Sequence, residues 1–349
     1  FMQYFLQGYK ISVYSLISRL IEHVSSPRKL AWSLFAVLAI FNQFTFCYIC
    51  CIGKEHLKLK IRRRYFNMKR IVTLQDISCV GRCSTTVALP VISAMGVECG
   101  ILPTAVLSTH TMFRHFTCKD LSDQIGPISD SWKKENLFFD GIYTGYLASV
   151  RQCGQVRTFF EQFRTRDNLI LVDPAMADNG KLYPAFDMDF PAAMASVCAK
   201  ADVILPNITE GCLLTGMPYR TEYDSSYITE LLQRLLGLGC RTAVLTGVSY
   251  EPDRLGIASL DQDGNAFSYF TKKCPQSYHG TGDLYSSTSF GGLMRGLSLG
   301  DALSLAADYV VECIEATARS NEARWYGAEF ESQIPWLCRE LEQRLKGKG

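Results

Sequence analysis

After Met68 the chain alternates between short apolar runs, polar turns and longer stretches whose apolar residues recur at helical spacing. Short apolar runs bounded by turn residues predict buried strands, and the periodic stretches predict helices. The runs "RIVTLQD", "GILPTAVLS", "LFFDGIYTGY", "LILVD", "ADVILPN" and "TAVLTGV" read as strands. "STTVALPVISAMG" reads as a helix, with Ser84 in the N-cap position, Pro90 as a kink and Gly96 as the stop. Further helices are predicted over residues 151–163, 227–236, 283–297, 301–318 and 331–345. "LGIASLD" and "AFSYFTKK", joined by "QDGN", predict a hairpin. Strands alternating with helices predict an α/β fold: a mostly parallel central sheet with helices on both faces.

Residues 1–67 do not fit that pattern. They hold ten Lys/Arg against two Asp/Glu, whereas residues 68–349 hold 26 against 32. Residues 30–52 carry no charge, and as a helix they would be roughly 34 Å long, enough to span a bilayer. A basic stretch follows, which would leave the main body on the cytoplasmic side. The competing and favoured reading is an upstream extension, with Met68 the true start. Residues 68–349 are then one domain. The 14 cysteines are scattered without a disulfide framework or zinc spacing, which fits reduced thiols in a cytoplasmic protein. The mildly acidic main body gives no sign of nucleic-acid binding.

Polar residues collect where the predicted strands end: Gln75 and Asp76, Thr144 to Tyr146, Asp173, Asn207 with Glu210, and Thr246 with Gly247. Open α/β sheets bind ligands beyond the carboxyl ends of their strands. Each residue alone also reads as a turn or cap. In "YHGTGDLYSSTSF", Gly280, Thr281 and Gly282 precede Asp283 at a predicted helix mouth. The exposed N–H groups and positive end of a helix suit a phosphate, and glycines allow close approach. That environment also predicts an ionised Asp283. The sequence contains no P-loop, and "GTGDLY" does not match the dinucleotide fingerprint. "VDPAMADNGKLY" and "PNITE" add Asp173, Asp178, Asn207 and Glu210, oxygen donors suited to Mg²⁺. An anion cradle beside an acidic metal edge predicts phosphoryl transfer from a nucleotide.

The "GTGD", "PNxxE" and "DPxxxDNGKLY" motifs resemble the ribokinase-like superfamily, and within it the pyridoxal/pyridoxamine kinases. "LQDISCVGRCSTTVALPVISAMG", "AVLSTHT" and "RWYGAEFE" extend the likeness over residues 69–345. The resemblance implies an ATP- and Mg²⁺-dependent kinase acting on the 5′-hydroxymethyl of a B6 vitamer, and a homodimer. It implies that Asp283 is the general base and that Gly280 to Gly282 form the anion hole. Asp173, Asn207, Thr246 and Gly247 would face ATP, and Asn207, Glu210 and Asp173 the metal. Asp76, His110, Thr111 and Tyr146 would surround the vitamer. Hydroxymethylpyrimidine kinase, of the same fold and chemistry, is the alternative, followed by a non-catalytic vitamer-binding protein. Several positions depart from the family pattern. Asp76 stands where Ser is frequent, as a partner for the ring hydroxyl or for a protonated ring nitrogen or amine. Cys79, Leu205, Met112 and Phe113 are also unusual, and His279 reads as a structural or ATP-side residue rather than a catalyst.

Overall fold

A computed structural model describes residues 68–321 and 324–347. The chain divides into two units, Phe1–Asn67 and Met68–Gly349. The apolar segment 30–52 lies outside the described residues. Among the described residues no helix is long and apolar enough to cross a membrane.

The chain runs β1 (Arg70–Val80), α1 (Thr85–Ala94), β2 (Glu98–Thr109), β3 (Cys118–Asp120), α2 (Ser122–Lys134), β4 (Gly141–Thr144) and α3 (Val150–Phe163). It continues with β5 (Leu169–Val172), β6 (Ala177–Asp178), β7 (Lys181–Leu182), α4 (Asp189–Cys198), β8 (Val203–Ile204), α5 (Ile208–Thr215) and α6 (Ser225–Leu236). Then come β9 (Thr242–Val248), β10 (Arg254–Asp261), β11 (Ala266–Lys272), α7 (Thr281–Met294), α8 (Leu299–Arg319) and α9 (Ile334–Lys346). A nine-stranded sheet has the order β11-β10-β9-β8-β5-β4-β1-β2-β3. The six strands from β9 to β2 pair in parallel, and β3, β10 and β11 add antiparallel edges.

The apolar strand runs divide by parity, as a two-residue pleat requires. Val72, Ile142, Ile170, Val172, Ile204 and Leu245 enter the core beneath α2 to α6. Ile71, Tyr143, Leu171, Val203 and Val244 enter a second core with α1, α7 and α8. Strands buried on both sides are therefore apolar without interruption, which is why they read as short apolar runs. α7 is buried from Leu284 to Gly292 around its whole circumference. Close approach makes this possible: a Cβ at Gly141 would lie 2.6 Å from Phe290, and one at Gly291 would lie 2.5 Å from Met95.

The predicted strands, hairpin and longer helices are all present, with shifted ends. Pro90 is accommodated within α1. Helices α2 and α4 do not stand out in the sequence pattern. The interior Pro127 and Gly126 break the apparent period of α2, and α4 is short.

Strand register positions the site. Leu74 pairs with Thr144, Thr144 with Val172, Val172 with Ile204, and Ile204 with Ala243. The carboxyl ends of β1, β4, β5, β8 and β9 therefore form one edge. Strand order reverses between β1 and β4, because β1 is followed by β2 on one side while the later strands β4, β5, β8 and β9 extend on the other. That reversal is where an open α/β sheet opens a ligand crevice.

Candidate active site

Asp76 emerges at an irregular step of the β1–β2 ladder, where Gln75 pairs with Pro103 but Ile77 pairs with Val106. Such bulges re-aim side chains. Ser78 Oγ donates to Asp76 Oδ2 at 3.0 Å, and the Ser84 hydroxyl lies near enough to favour the charged form against the raising effect of burial. Ser84 fills the N-cap position of α1 but makes no capping bond with its side chain. Its φ is +48°, in the left-handed region that disfavours a non-glycine residue. The hydroxyl lies near Asp76 instead, while the Ser84 backbone lies near Asp283, each favouring the charged form of its carboxyl. This link joins two carboxylates from opposite ends of the domain, and a local reading of Ser84 as a cap misses it.

Asp283 stands in the first turn of α7, whose N-cap is Gly280 at φ +80°. A Cβ on Gly280 would lie 1.7 Å from the Arg82 carbonyl oxygen, so both conformation and space require glycine. A Cβ on Gly282 would meet no protein atom within 4 Å. The protein's own packing therefore leaves open space at the helix mouth. Thr281 Oγ1 donates to the Tyr278 carbonyl at 3.2 Å. The helix end does not dominate the electrostatics of Asp283. Burial and then the charge of Asp173 push its carboxyl up to about 7, against a smaller lowering from the Ser84 backbone. Near neutral pH the charged and neutral forms of Asp283 therefore coexist in the ligand-free site, where the helix mouth alone implied full ionisation.

Asp173 follows β5 and accepts the Ser286 hydroxyl of α7 at 2.5 Å. Burial raises its carboxyl to about 6. Glu210 is raised well above the ordinary range by burial and by Asp173. Both of its oxygens are engaged by backbone amides: Oε1 by Met176 at 3.0 Å and Ala177 at 3.4 Å, Oε2 by Asn207 at 2.8 Å. Asn207 Oδ1 completes a capping box by accepting Glu210 N–H at 2.9 Å. Asn207 Nδ2 donates to the Ala177 carbonyl at 2.8 Å. The pair therefore fastens α5 to the loop carrying Asp173. Asn207 also bridges in parallel to Thr246, whose N–H donates to the Pro206 carbonyl at 2.9 Å. Beside it Gly247, at φ +75°, is exposed with open space around its Cα.

Among the described residues no group of three or more His, Cys, Asp or Glu is gathered as a closed metal cage. The donors nonetheless suit a cation held largely through water. The charges that raise Asp283 are those of Asp173 and Asp76, and the charge that raises Glu210 is that of Asp173. Mg²⁺ characteristically takes one or two carboxylates, keeps waters and bridges phosphates.

On the other side of Asp76, His110 Nε2 donates to the Tyr326 carbonyl at 2.9 Å, and Nδ1 accepts the Met112 N–H at 3.3 Å. The ring packs at a tilt against His279, with centroids 4.4 Å apart, and Phe113 and Trp325 extend this wall. With both nitrogens engaged, His110 contributes a ring face and ties the segment after β2 to the "RWYG" segment. Burial lowers His279 to about 4. Tyr146, beyond β4, packs on Phe186, and burial followed by the charges of Asp76 and Cys118 raises its hydroxyl to about 12. Thr111 is exposed just past β2. Of the departures, Leu205 is a core residue, while Cys79 and Met112 are exposed. Arg82 carries no motif that would single it out in the sequence. It donates to Glu331 at 3.1 Å and to the Gly327 carbonyl at 3.4 Å, holding the late segment beside Gly280.

A parallel sheet with carboxylates at its carboxyl edge and a glycine-led helix mouth over them defines a small-molecule kinase of the ribokinase-like class. The family model for phosphomethylpyrimidine kinase matches residues 122–326. A Bacteroides thetaiotaomicron protein assigned as a phosphomethylpyrimidine kinase is 37% identical, covering 77% of this chain and 94% of its own, with a TM-score of 0.75. An orthorhombic form of that protein contains pyridoxal. Pyridoxal kinase from Lactobacillus plantarum is 34% identical, covering 79% of this chain and 98% of its own, with a TM-score of 0.73. Pyridoxal kinase of Dictyostelium discoideum is 26% identical over 243 residues, 65% of this chain and 78% of that protein. The chain belongs to the pyridoxal and phosphomethylpyrimidine kinase family.

Proposed function

We propose that the protein transfers the terminal phosphoryl group of ATP to the 5′-hydroxymethyl of a B6 vitamer, giving pyridoxal 5′-phosphate or its analogue. The observation that carries this reading is the placement of Asp283. It stands at an open helix mouth, near enough to Asp173 and Asp76 for their charges to raise its carboxyl. Asp283 accepts the hydroxyl proton as the substrate oxygen attacks phosphorus. The N–H groups of Gly280, Thr281 and Gly282 face the oxygens of the moving group. Asn207, Thr246 and Gly247 line the nucleotide side. Asp76, His110 and Tyr146 enclose the vitamer, with Thr111 at the rim. Asp173, Asn207 and Glu210 are the residues that would hold Mg²⁺, which would neutralise charge on the phosphates.

Incubating the purified protein with MgATP and each B6 vitamer, beside hydroxymethylpyrimidine, tests the reading. The family model also describes pyrimidine kinases, which makes that the second candidate substrate. A kcat/KM at least tenfold higher for a vitamer is expected, and pyrimidine preference would reverse the assignment. We further propose a cytoplasmic enzyme, in keeping with the unpaired cysteines among the described residues. By family likeness it is a homodimer, which light scattering would check.

A further inference from the structure

Asp76 is only 3% exposed, and its surroundings supply hydrogen bonds without positive charge. Ser78 donates at 3.0 Å, and the Ser84 hydroxyl lies close by. His110 donates through Nε2 to a carbonyl and accepts an amide N–H on Nδ1, the pattern of the neutral ring. Among the described residues no Lys or Arg forms an ion pair with Asp76. A carboxylate this buried is unfavourable without a cationic partner. The missing cation is one that a substrate can bring.

We propose that Asp76 is the specificity-determining residue of this kinase, receiving the protonated 4-aminomethyl group of pyridoxamine; this rests on the vitamer-kinase reading above. The choice among substrate nitrogens follows from Ser84. Ser84 lies near both carboxylates, its hydroxyl toward the charge of Asp76 and its backbone toward that of Asp283, and Gly280 at the head of the Asp283 helix packs on Arg82 and Cys83 just before it. The groups meeting them must therefore be close together on the substrate. The 5-hydroxymethyl and the 4-aminomethyl sit on neighbouring ring carbons. The ring nitrogen points away from both. Pyridoxine and pyridoxal carry a neutral hydroxyl or carbonyl at the 4-position, so only pyridoxamine presents a cation there.

The test measures kcat and KM of the full chain for pyridoxamine, pyridoxine and pyridoxal, before and after Asp76→Asn. A loss of roughly 10–100-fold in kcat/KM is expected for pyridoxamine, mostly in KM. Smaller losses are expected for the other two, so that the ratio of kcat/KM for pyridoxamine to that for pyridoxine falls at least about fivefold. Equal losses on all three vitamers would overturn the proposal. If the Asn variant does not fold, calorimetric titration of the unmodified protein decides. Pyridoxamine should bind at least about tenfold more tightly than pyridoxine, and equal affinities would overturn the assignment. Absence of phosphoryl transfer to every vitamer would sink the kinase reading, while the same titration would still settle the role of Asp76.

Discussion

Asp283 is subject to opposing forces. The helix end favours its charged form, while burial and the facing Asp173 disfavour it, and the balance lies near 7. Two consequences follow for pH. An acid raised in the fold binds a proton more tightly than in the unfolded chain. Its contribution to stability is complete below the ordinary carboxylate range and is lost as pH rises toward 7. Asp283→Asn should therefore raise Tm at pH 8 by on the order of a few degrees, with little gain at pH 4, measurable by differential scanning fluorimetry. The same substitution should lower kcat by on the order of 10²–10⁴ with unchanged circular dichroism. In the unmodified protein kcat/KM should fall as pH drops through about 7. Raising Mg²⁺ should move the acid limb of kcat downward, because the cation offsets the charge of Asp173, and EDTA should abolish turnover. A limb unmoved by Mg²⁺ would place the metal away from this pair.

At the scale of elements, the mouth of α7 separates two roles for glycine. Gly280→Ala must displace the Arg82 backbone and hold alanine at φ +80°. A loss of about 1–3 kcal/mol in stability is expected, together with lost activity. Gly282→Ala meets open space and should leave Tm within a degree or two, while KM for ATP rises or kcat falls if that space receives phosphate. Chemical denaturation and initial rates on the two variants distinguish packing from ligand cradle. Glu210→Gln is a third probe of an element. It weakens the capping box and the grip on Met176 and Ala177, at a cost of roughly 1–2 kcal/mol. The existence of α7 was legible from its local pattern, but its burial on every side was not. That property depends on α1, α8 and the sheet, which are distant in sequence.

At the scale of the molecule, the compact unit beginning at Met68 holds every proposed site residue. Protein expressed from Met68 should retain kcat/KM for the vitamer within about twofold, since a unit with its own core can fold and act alone. A larger loss would assign a role to residues 1–67.

The alternating strands and helices, the parallel sheet, the hairpin and the polar strand ends were determined by the sequence alone. Each arises from local spacing of apolar residues or from turn chemistry, and local spacing survives in a linear string. The identities of Asp173, Asn207, Glu210 and Asp283 were legible for the same reason, because they sit in short contiguous motifs. Tertiary structure alone decided what these residues do to one another. Strand register brought the carboxyl ends onto one edge. Close packing desolvated the acids and raised them, where helix position alone implied an ionised base. Ser84 became the link between Asp76 and Asp283, Arg82 the strap beside Gly280, and Glu210 a clamp on the Asp173 loop. Desolvation, register and charge coupling depend on contacts between residues far apart in the chain, and no local pattern records them.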